Sequence, residues 1–167
     1  STPFDLQSLA FLTDDLDLKT LKLPSGEITN GPLLLAAARS GRRIILSTGM
    51  SSLDEVREAL AVIAFGYLGA ETPSRRAFAE AFETDAGQNI VKERVTLLHC
   101  TSQYPAAFAD VNLKAMDTLR DAFGTRVGYS DHTTGTAIAI AAAASSSSFP
   151  PTFISVSAPV ALSHGPS

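Results

Sequence analysis

Four short polar segments hold most of the residues in this chain that could do chemistry. They are residues 22–27 (KLPSGE), 46–50 (LSTGM), 99–105 (HCTSQYP) and 129–133 (YSDHT). Each follows a short apolar or alternating run and precedes a helix-like segment, so each stands where a strand would end. The carboxyl ends of parallel strands share one edge of a sheet, and in a (β/α)8 barrel that edge carries the active site. We therefore expect the four segments to form one site.

The side chains in these segments are of types that an anion site and a metal ligand would use, although each alone more often has an ordinary role. Lys22 offers a point charge suited to phosphate, and Ser25, Ser47 and Ser130 offer hydroxyl donors to the same anion. His132 offers a neutral imidazole, which suits Mn²⁺ or a similar divalent ion. Each residue also has an ordinary alternative: a solvated lysine, serines that cap helices or shape turns, and a structural histidine.

Alternating strand and helix patterns must position these residues, and they predict a parallel sheet with crossover helices. Strands are predicted at residues 20–23, 44–46, 95–98 and 126–129, and residues 1–3 look like the end of one more. Helices are predicted at residues 5–12, 32–41, 52–63, 113–119 and 136–144, and residues 69–93 predict a polar, helical and less regular connector.

The predicted fold class is α/β: a partial (β/α)8 TIM barrel, from the end of its third strand to its sixth, with a divergent tail. A closed barrel needs eight strands, and only four full strands with one strand end precede residue 145. A small open sheet is therefore the alternative. We expect residues 1–144 to form the barrel part. Residues 145–167 contain a serine run and several prolines and resemble a linker, although residues 152–156 could form a strand.

Composition argues against several classes of protein. The net charge is −4 and no Lys/Arg run is present, so we expect neither nucleic acid nor an anionic membrane surface as a partner. No apolar stretch reaches the roughly 18 residues of a membrane span, and the first residues lack the pattern of a signal peptide. The single cysteine, Cys100, allows no intrachain disulfide, and a cytoplasmic protein is the default.

Residues 22–30 (KLPSGEITN), 47–50 (STGM), 100–105 (CTSQYP) and 130–133 (SDHT) resemble, in order and approximate spacing, the sialic acid synthase family. The resemblance runs from Ser1 to about Ala144. It implies a (β/α)8 barrel followed by a small antifreeze-like domain in a domain-swapped homodimer. It also implies a transferase that condenses phosphoenolpyruvate with N-acetylmannosamine or a close analogue and releases phosphate.

The resemblance also implies a role for each candidate site residue. Glu27 and His132 would be catalytic: Glu27 would orient water or bind a sugar hydroxyl, and His132 would bind Mn²⁺ or Mg²⁺. Ser102 and Tyr104 would contact the sugar. Phosphoenolpyruvate would be held by Lys22, Ser25, Ser47 and Ser130. The ordinary alternatives are a first-turn glutamate that favours the helix dipole and a tyrosine that packs before Pro105.

Neighbouring residues are harder to assign by resemblance. Asn30 could be functional or a turn residue before Gly31. Asp131 would support its neighbour or the local fold, because adjacent residues on a strand point in opposite directions. His99 and Cys100 would pack within the strand end.

The chain departs from the family at both ends. Two family strands that bring a glutamate and a lysine to the site have no counterpart before residue 1. The Glu-(Lys/Arg)-His motif expected after residue 144 is replaced by SSSFPPTFISVS, and His164 does not take over its metal-binding role. We therefore expect the 167-residue chain to show no measurable synthase turnover.

Other functions of this chain stay open. The enzyme could make legionaminic or pseudaminic acid, or the chain could be a non-catalytic phosphate-binding or interaction module on half a barrel. The Gly26-Glu27 pair favours the sialic and legionaminic branch.

An open sheet would expose its edge and one face and would aggregate. The residues expected to be most at risk are Ile44, Ile45, Leu46, Leu97 and Leu98.

Overall fold

One or more helices separate successive strands in residues 1–145 and 153–155, which are the residues described by a computed structural model of the chain. The strands are β1 (Thr20–Leu23), β2 (Arg43–Ser47), β3 (Val95–Cys100), β4 (Arg126–Asp131) and β5 (Phe153–Ser155). The helices are α1 (Leu6–Ala10, continued by a π-helical turn over Phe11–Asp15), α2 (Gly31–Arg39), α3 (Leu53–Tyr67), α4 (Arg75–Glu83), α5 (Asp85–Arg94), α6 (Ala115–Phe123) and α7 (Ala137–Ser145).

The five strands form one parallel sheet in which they lie in the order of the chain, β1-β2-β3-β4-β5. This order arises when successive crossover connections wind in one direction, whereas a doubly wound sheet reverses its strand order. The backbone N–H of Lys22 donates to the carbonyl of Ser1 at 2.9 Å, so the first residues extend the sheet beyond β1. The predicted parallel α/β sheet is confirmed.

One face of the sheet packs against the helices and holds the hydrophobic core. The strand register sets Leu21 beside Ile44, Leu23 beside Leu46, and Leu46 beside Leu97. All five side chains are at most 1% exposed and pack with apolar residues of α2, α3 and α6. Removal of this apolar surface from water is the main stabilising contribution to folding.

Local signals in the sequence explain where the helices begin and end. The predicted capping box before α3 is present: the Ser52 hydroxyl accepts the N–H of Glu55 at 3.2 Å, and the Glu55 carboxylate accepts the N–H of Ser52 at 2.8 Å. The side chain of Asn30 caps α2, which carries Pro32 in its first turn. Gly41 follows α2 with φ of 70°, a left-handed conformation that glycine adopts without strain. The connector at residues 69–93 is helical, as α4 and α5.

The expected exposure of strand residues is wrong for four of the five named. Ile44, Leu46 and Leu97 lie on the face that packs against the helices, and Leu98 lies on the other face, beside Gly128, with no exposed surface. Only Ile45 is partly exposed. A short, continuous apolar strand does not reveal which residues face the helices, because both faces carry similar side chains.

The strand suggested at residues 152–156 is present as β5, which lies parallel to β4 and sets Phe153 beside Tyr129. The sheet therefore has a fifth strand beyond the four that the pattern predicts before residue 145. Residues 146–152 and 156–167 lie outside the described residues, and their linker-like character stays a prediction. Among the described helices, none is long and apolar enough to cross a bilayer.

Candidate functional site

The polar residues predicted to share a site lie on the face of the sheet opposite the helices, at its carboxyl edge. Lys22 pairs in register with Ile45, which precedes Ser47 by two residues and so points to the same face. Ser47 pairs with Leu98, and Cys100, two residues further on, pairs with Ser130. The register thus brings Lys22, Ser47 and Ser130, from three different strands, to one face.

A group of side chains converges on Gly49, just beyond β2. A Cβ added to Gly49 would lie 2.8 Å from the Ser102 Oγ, 2.9 Å from the Cys100 Sγ and 3.2 Å from the Ser25 Oγ. These contacts bring the ends of β1, β2 and β3 together around a position that only glycine leaves open. We call Ser25, Gly49, Cys100 and Ser102 the glycine cradle.

Several hydroxyl groups at this edge are buried and have no hydrogen-bond partner among the residues that the structure describes. They include the Ser47 Oγ, the Thr101 Oγ1 and the Ser102 Oγ, and Ser47 is only 2% exposed. Lys22 is partly buried and forms no ion pair with a carboxylate within residues 1–145. Buried polar groups are normally paired, so unpaired hydroxyl donors beside an unpaired cation indicate a site for an anion.

His132 lies just past β4 and is held from both ring nitrogens. Its Nδ1 forms a short hydrogen bond with the carbonyl oxygen of Thr101, so Nδ1 carries the proton. Its Nε2 therefore accepts, from the Tyr104 hydroxyl at 2.9 Å and from the Ser130 hydroxyl at 3.3 Å. The Tyr104 ring also stacks on the imidazole, with centroids 4.0 Å apart. The predicted pair of sugar-binding and metal-binding residues is thus in direct contact.

Burial and charge keep two groups of the site in their neutral forms. Burial lowers the pKa of His132 below 6.5, and the positive charge of Lys22 lowers it further, while the Thr101 carbonyl opposes the shift. Burial likewise raises the pKa of the Cys100 thiol, although the Gly49 N–H and the Lys22 charge favour the thiolate. Cys100 is therefore a buried packing residue within the cradle and a poor nucleophile.

Glu27 lies in the 3₁₀ turn Ser25–Glu27 that follows β1, and it is partly buried. One carboxylate oxygen accepts from the side-chain amide of Asn30 at 2.7 Å. The amide oxygen of Asn30 accepts from the backbone N–H of Leu33. The cap of α2 thus fixes Glu27 at the edge of the site. Among the described residues, Glu27 forms no hydrogen bond or ion pair with Lys22 or His132.

Two further candidates have structural roles. One Asp131 oxygen accepts both from the backbone N–H of Thr133, at 2.9 Å, and from its hydroxyl, at 2.7 Å. The His99 Nε2 contacts the carbonyl oxygen of Val111 at 2.7 Å. Both side chains therefore fix loops around the site, in agreement with their predicted supporting roles.

The described residues do not by themselves supply a site for the expected divalent cation. Among residues 1–145 and 153–155, no three His, Cys, Asp or Glu side chains stand close enough to hold a metal ion. His132 could offer one nitrogen, Nε2, and that nitrogen already accepts hydrogen bonds from Tyr104 and Ser130. Within this part of the chain His132 therefore offers at most one ligand, and no reaction step below is assigned to a metal.

Sequence reasoning missed the contributions of Gly49 and Thr101. Gly49 stands in the quoted STGM segment, but a glycine there is equally compatible with a simple turn. Thr101 combines a buried, unpaired hydroxyl with a carbonyl that orients His132. No pattern in the sequence distinguishes it from its neighbours, because its partner lies 31 residues away.

A singly wound parallel sheet, with a lysine and buried hydroxyls at its carboxyl edge, defines an α/β protein with a candidate anion site. The sequence model of the NeuB family matches residues 1–149, and the chain belongs to that family. The match ends close to residue 144, where the quoted resemblance was expected to end.

Relatives and solved structures agree with this membership. The chain is 48% identical over 144 residues to the N,N'-diacetyllegionaminic acid synthase of Campylobacter jejuni, covering 86% of this chain and 36% of the relative. It is 30% identical over 141 residues to human N-acetylneuraminate-9-phosphate synthase, covering 84% of this chain and 32% of the relative. The crystal structure of the N-acetylneuraminic acid (sialic acid) synthetase of Leptospira borgpetersenii superposes with a TM-score of 0.69 at 32% identity, covering 92% of this chain and 44% of that one. The chain thus spans about a third of the length of these two curated relatives.

Proposed function

We propose that this chain is part of a synthase that condenses phosphoenolpyruvate with N-acetylmannosamine or a close analogue, forming a nonulosonic acid and releasing phosphate. The observation that carries the proposal is the unpaired Lys22 beside the buried, unpaired hydroxyls of Ser47 and Ser102. Phosphoenolpyruvate presents a phosphate and a carboxylate, and both need a cation and hydrogen-bond donors in a site shielded from water. Membership of the NeuB family supports the same reaction.

The sheet is proposed to be part of a (β/α)8 barrel. Two features support this: the strands follow chain order, and in the described residues the core helices pack with the strand side chains of one face, such as Leu21, Leu46 and Leu97. In such a barrel the opposite face lines the interior, and its carboxyl edge carries the active site. The face with Lys22, Ser47 and Ser130 has this place in the described sheet.

The proposed reaction forms one carbon–carbon bond and one carbon–oxygen bond to water, and it breaks the carbon–oxygen bond that carries the phosphate. The enol carbon of phosphoenolpyruvate attacks the aldehyde carbon of the open-chain sugar, whose oxygen takes up a proton. Water adds to the resulting cation at the phosphate-bearing carbon, and phosphate then leaves with the bridging oxygen. Lys22, Ser25, Ser47 and Ser130 would hold the phosphate and the carboxylate through these steps.

The remaining residues would act on the sugar and the water. Glu27 would orient the attacking water or bind a sugar hydroxyl, since one of its carboxylate oxygens has no hydrogen-bond partner in the described part of the chain. Ser102 and Tyr104 would contact the sugar, and the Ser102 hydroxyl, which lies with Ser25 in the glycine cradle, would also donate to phosphoenolpyruvate. His132 would be one ligand of a divalent cation. A homodimer and a cytoplasmic location, where phosphoenolpyruvate is made, complete the proposal.

One observation favours an acceptor sugar other than N-acetylmannosamine. Identity to the Campylobacter jejuni N,N'-diacetyllegionaminic acid synthase is 48%, against 30% to the human N-acetylneuraminate-9-phosphate synthase. A diacetamido sugar that leads to legionaminic acid should therefore be compared directly with N-acetylmannosamine. The preferred acceptor is the one with the higher kcat/KM.

Calorimetric titration of the 167-residue chain with phosphoenolpyruvate tests the anion site. Lys22→Met is expected to raise the dissociation constant about ten- to a hundredfold, because a hydrogen bond to a charged group contributes about 1.5–3 kcal/mol. Lys19→Met is the matched control, since Lys19 precedes β1, is 72% exposed and pairs with Asp17. Equal affinities for Lys22→Met and the wild type would refute the assignment.

Release of phosphate in the presence of an acceptor sugar tests the reaction itself, in the complete gene product. Phosphate release that depends on both substrates would support a synthase. Tight binding of phosphoenolpyruvate without any turnover in that product would favour the phosphate-binding module instead.

A further inference from the structure

We propose that Asn30 is a positioning residue that holds the Glu27 carboxylate in its working orientation. The inference rests on the proposed function, in which Glu27 contacts the sugar or the attacking water. It goes beyond that function because Asn30 would act on the substrate only through Glu27. Three observations carry it: the contact between the two side chains, the orientation of the amide, and the absence of a cation from the pair.

The two residues are joined through both backbone and side chain. The backbone N–H of Asn30 donates to the carbonyl of Glu27 at 2.9 Å, and the N–H of Glu27 donates to the carbonyl of Pro24 at 3.0 Å. The Asn30 Nδ2 then donates to the Glu27 Oε2 at 2.7 Å. The tight turn after β1 thereby ends in a defined pair of side chains.

The orientation of the Asn30 amide follows from its second contact. Its Oδ1 accepts the backbone N–H of Leu33 at 3.2 Å, which only an oxygen can do, so the nitrogen must face Glu27. Leu33 and Leu34 are at most 1% exposed and anchor the first turn of α2 in the core. The carboxylate is thus tied to a rigid part of the protein.

The pair contains no positive charge. Glu27 forms no ion pair with any lysine, arginine or histidine within residues 1–145. The neutral Asn30 amide fixes one carboxylate oxygen, and the second oxygen has no hydrogen-bond partner in the described structure. A lysine in place of Asn30 would instead compete with the substrate for this carboxylate. The arrangement suits a carboxylate that must accept a hydrogen bond from a hydroxyl or a water.

The variant Asn30→Ser separates positioning from helix capping. Serine caps helices about as well as asparagine does, but its hydroxyl is too short to serve Leu33 and Glu27 together. We expect Asn30→Ser to keep the wild-type melting temperature and the wild-type affinity for phosphoenolpyruvate. We expect its affinity for N-acetylmannosamine, measured by saturation-transfer NMR in the presence of phosphoenolpyruvate, to fall about tenfold.

Two further variants make the test decisive. Glu27→Gln should lose sugar affinity, and the double variant with Asn30→Ser should lose no more than Glu27→Gln alone, because the two side chains act as one unit. Additive losses in the double variant, or unchanged sugar affinity in Asn30→Ser, would overturn the positioning role. Unchanged affinity in Glu27→Gln would instead overturn the role proposed for Glu27. A wild-type chain that binds phosphoenolpyruvate but no sugar would overturn both.

Discussion

Replacing Gly49 with alanine is expected to weaken phosphoenolpyruvate binding while leaving the fold intact. The added Cβ would lie 2.8 Å from the Ser102 Oγ and 2.9 Å from the Cys100 Sγ, against 3.4 Å or more in ordinary contacts. The Ser102 hydroxyl must therefore move by about 0.6 Å (3.4 Å less 2.8 Å), which is enough to misplace a hydrogen-bond donor.

The expected losses of affinity and of folding free energy in Gly49→Ala follow from the side chains that the added Cβ would displace. Losing one hydroxyl hydrogen bond to a charged ligand costs about 1.5–3 kcal/mol, which raises the dissociation constant about ten- to a hundredfold. Overpacking a buried site costs about 1–3 kcal/mol of folding free energy. We expect about 1 kcal/mol here, because the crowded atoms are the ends of side chains that can rotate.

Titration calorimetry and thermal denaturation of the same preparations check both values. Gly31→Ala is the matched control: Gly31 has no atom within 4 Å of an added Cβ, and it lies in the first turn of α2. We expect this control to bind phosphoenolpyruvate like the wild type and to be slightly more stable, because alanine restricts the unfolded chain. Wild-type affinity in Gly49→Ala would refute the view that the glycine cradle holds the anion.

Three other changes test the packing around the site. Tyr129→Phe should leave stability at pH 7 unchanged or raised, because the buried hydroxyl has no partner. Burial raises the pKa of Tyr129 to about 12. The stability linked to its neutral form is therefore present below pH 10 and is lost as the pH rises to 12. Between pH 7 and pH 11 the free energy of unfolding should fall less in Tyr129→Phe than in the wild type. Gly66→Ala should lower the free energy of unfolding by about 1–3 kcal/mol in urea titrations, because its Cβ would lie 2.6 Å from the Ala38 Cβ between α2 and α3. Ser52→Ala should cost about 1 kcal/mol by removing the cap that pairs with Glu55, and an unchanged denaturation midpoint would contradict the capping role.

Much of the architecture could be predicted from short-range patterns. Apolar or alternating runs of three or four residues followed by polar segments indicate the strands and the edge that they share. The Ser52-Glu55 capping box and Gly41 mark helix ends, because caps depend on backbone groups within four residues. The polar segments at residues 22–27, 46–50, 99–105 and 129–133 could be recognised as one candidate site, because the carboxyl ends of parallel strands share one edge of the sheet.

The tertiary structure decided which of these residues meet, and how. The sequence could not predict that Leu98 is buried while Ile45 is partly exposed, because both lie on the same face and differ only in their neighbours. The contact of His132 with the Thr101 carbonyl and with Tyr104 joins residues about 30 positions apart, and it sets which ring nitrogen carries the proton. Such contacts depend on strand register, since a slip of one residue turns every side chain to the other face. Residue types and their order therefore indicate the chemistry that is available, whereas register and burial determine which groups are left unpaired to perform it.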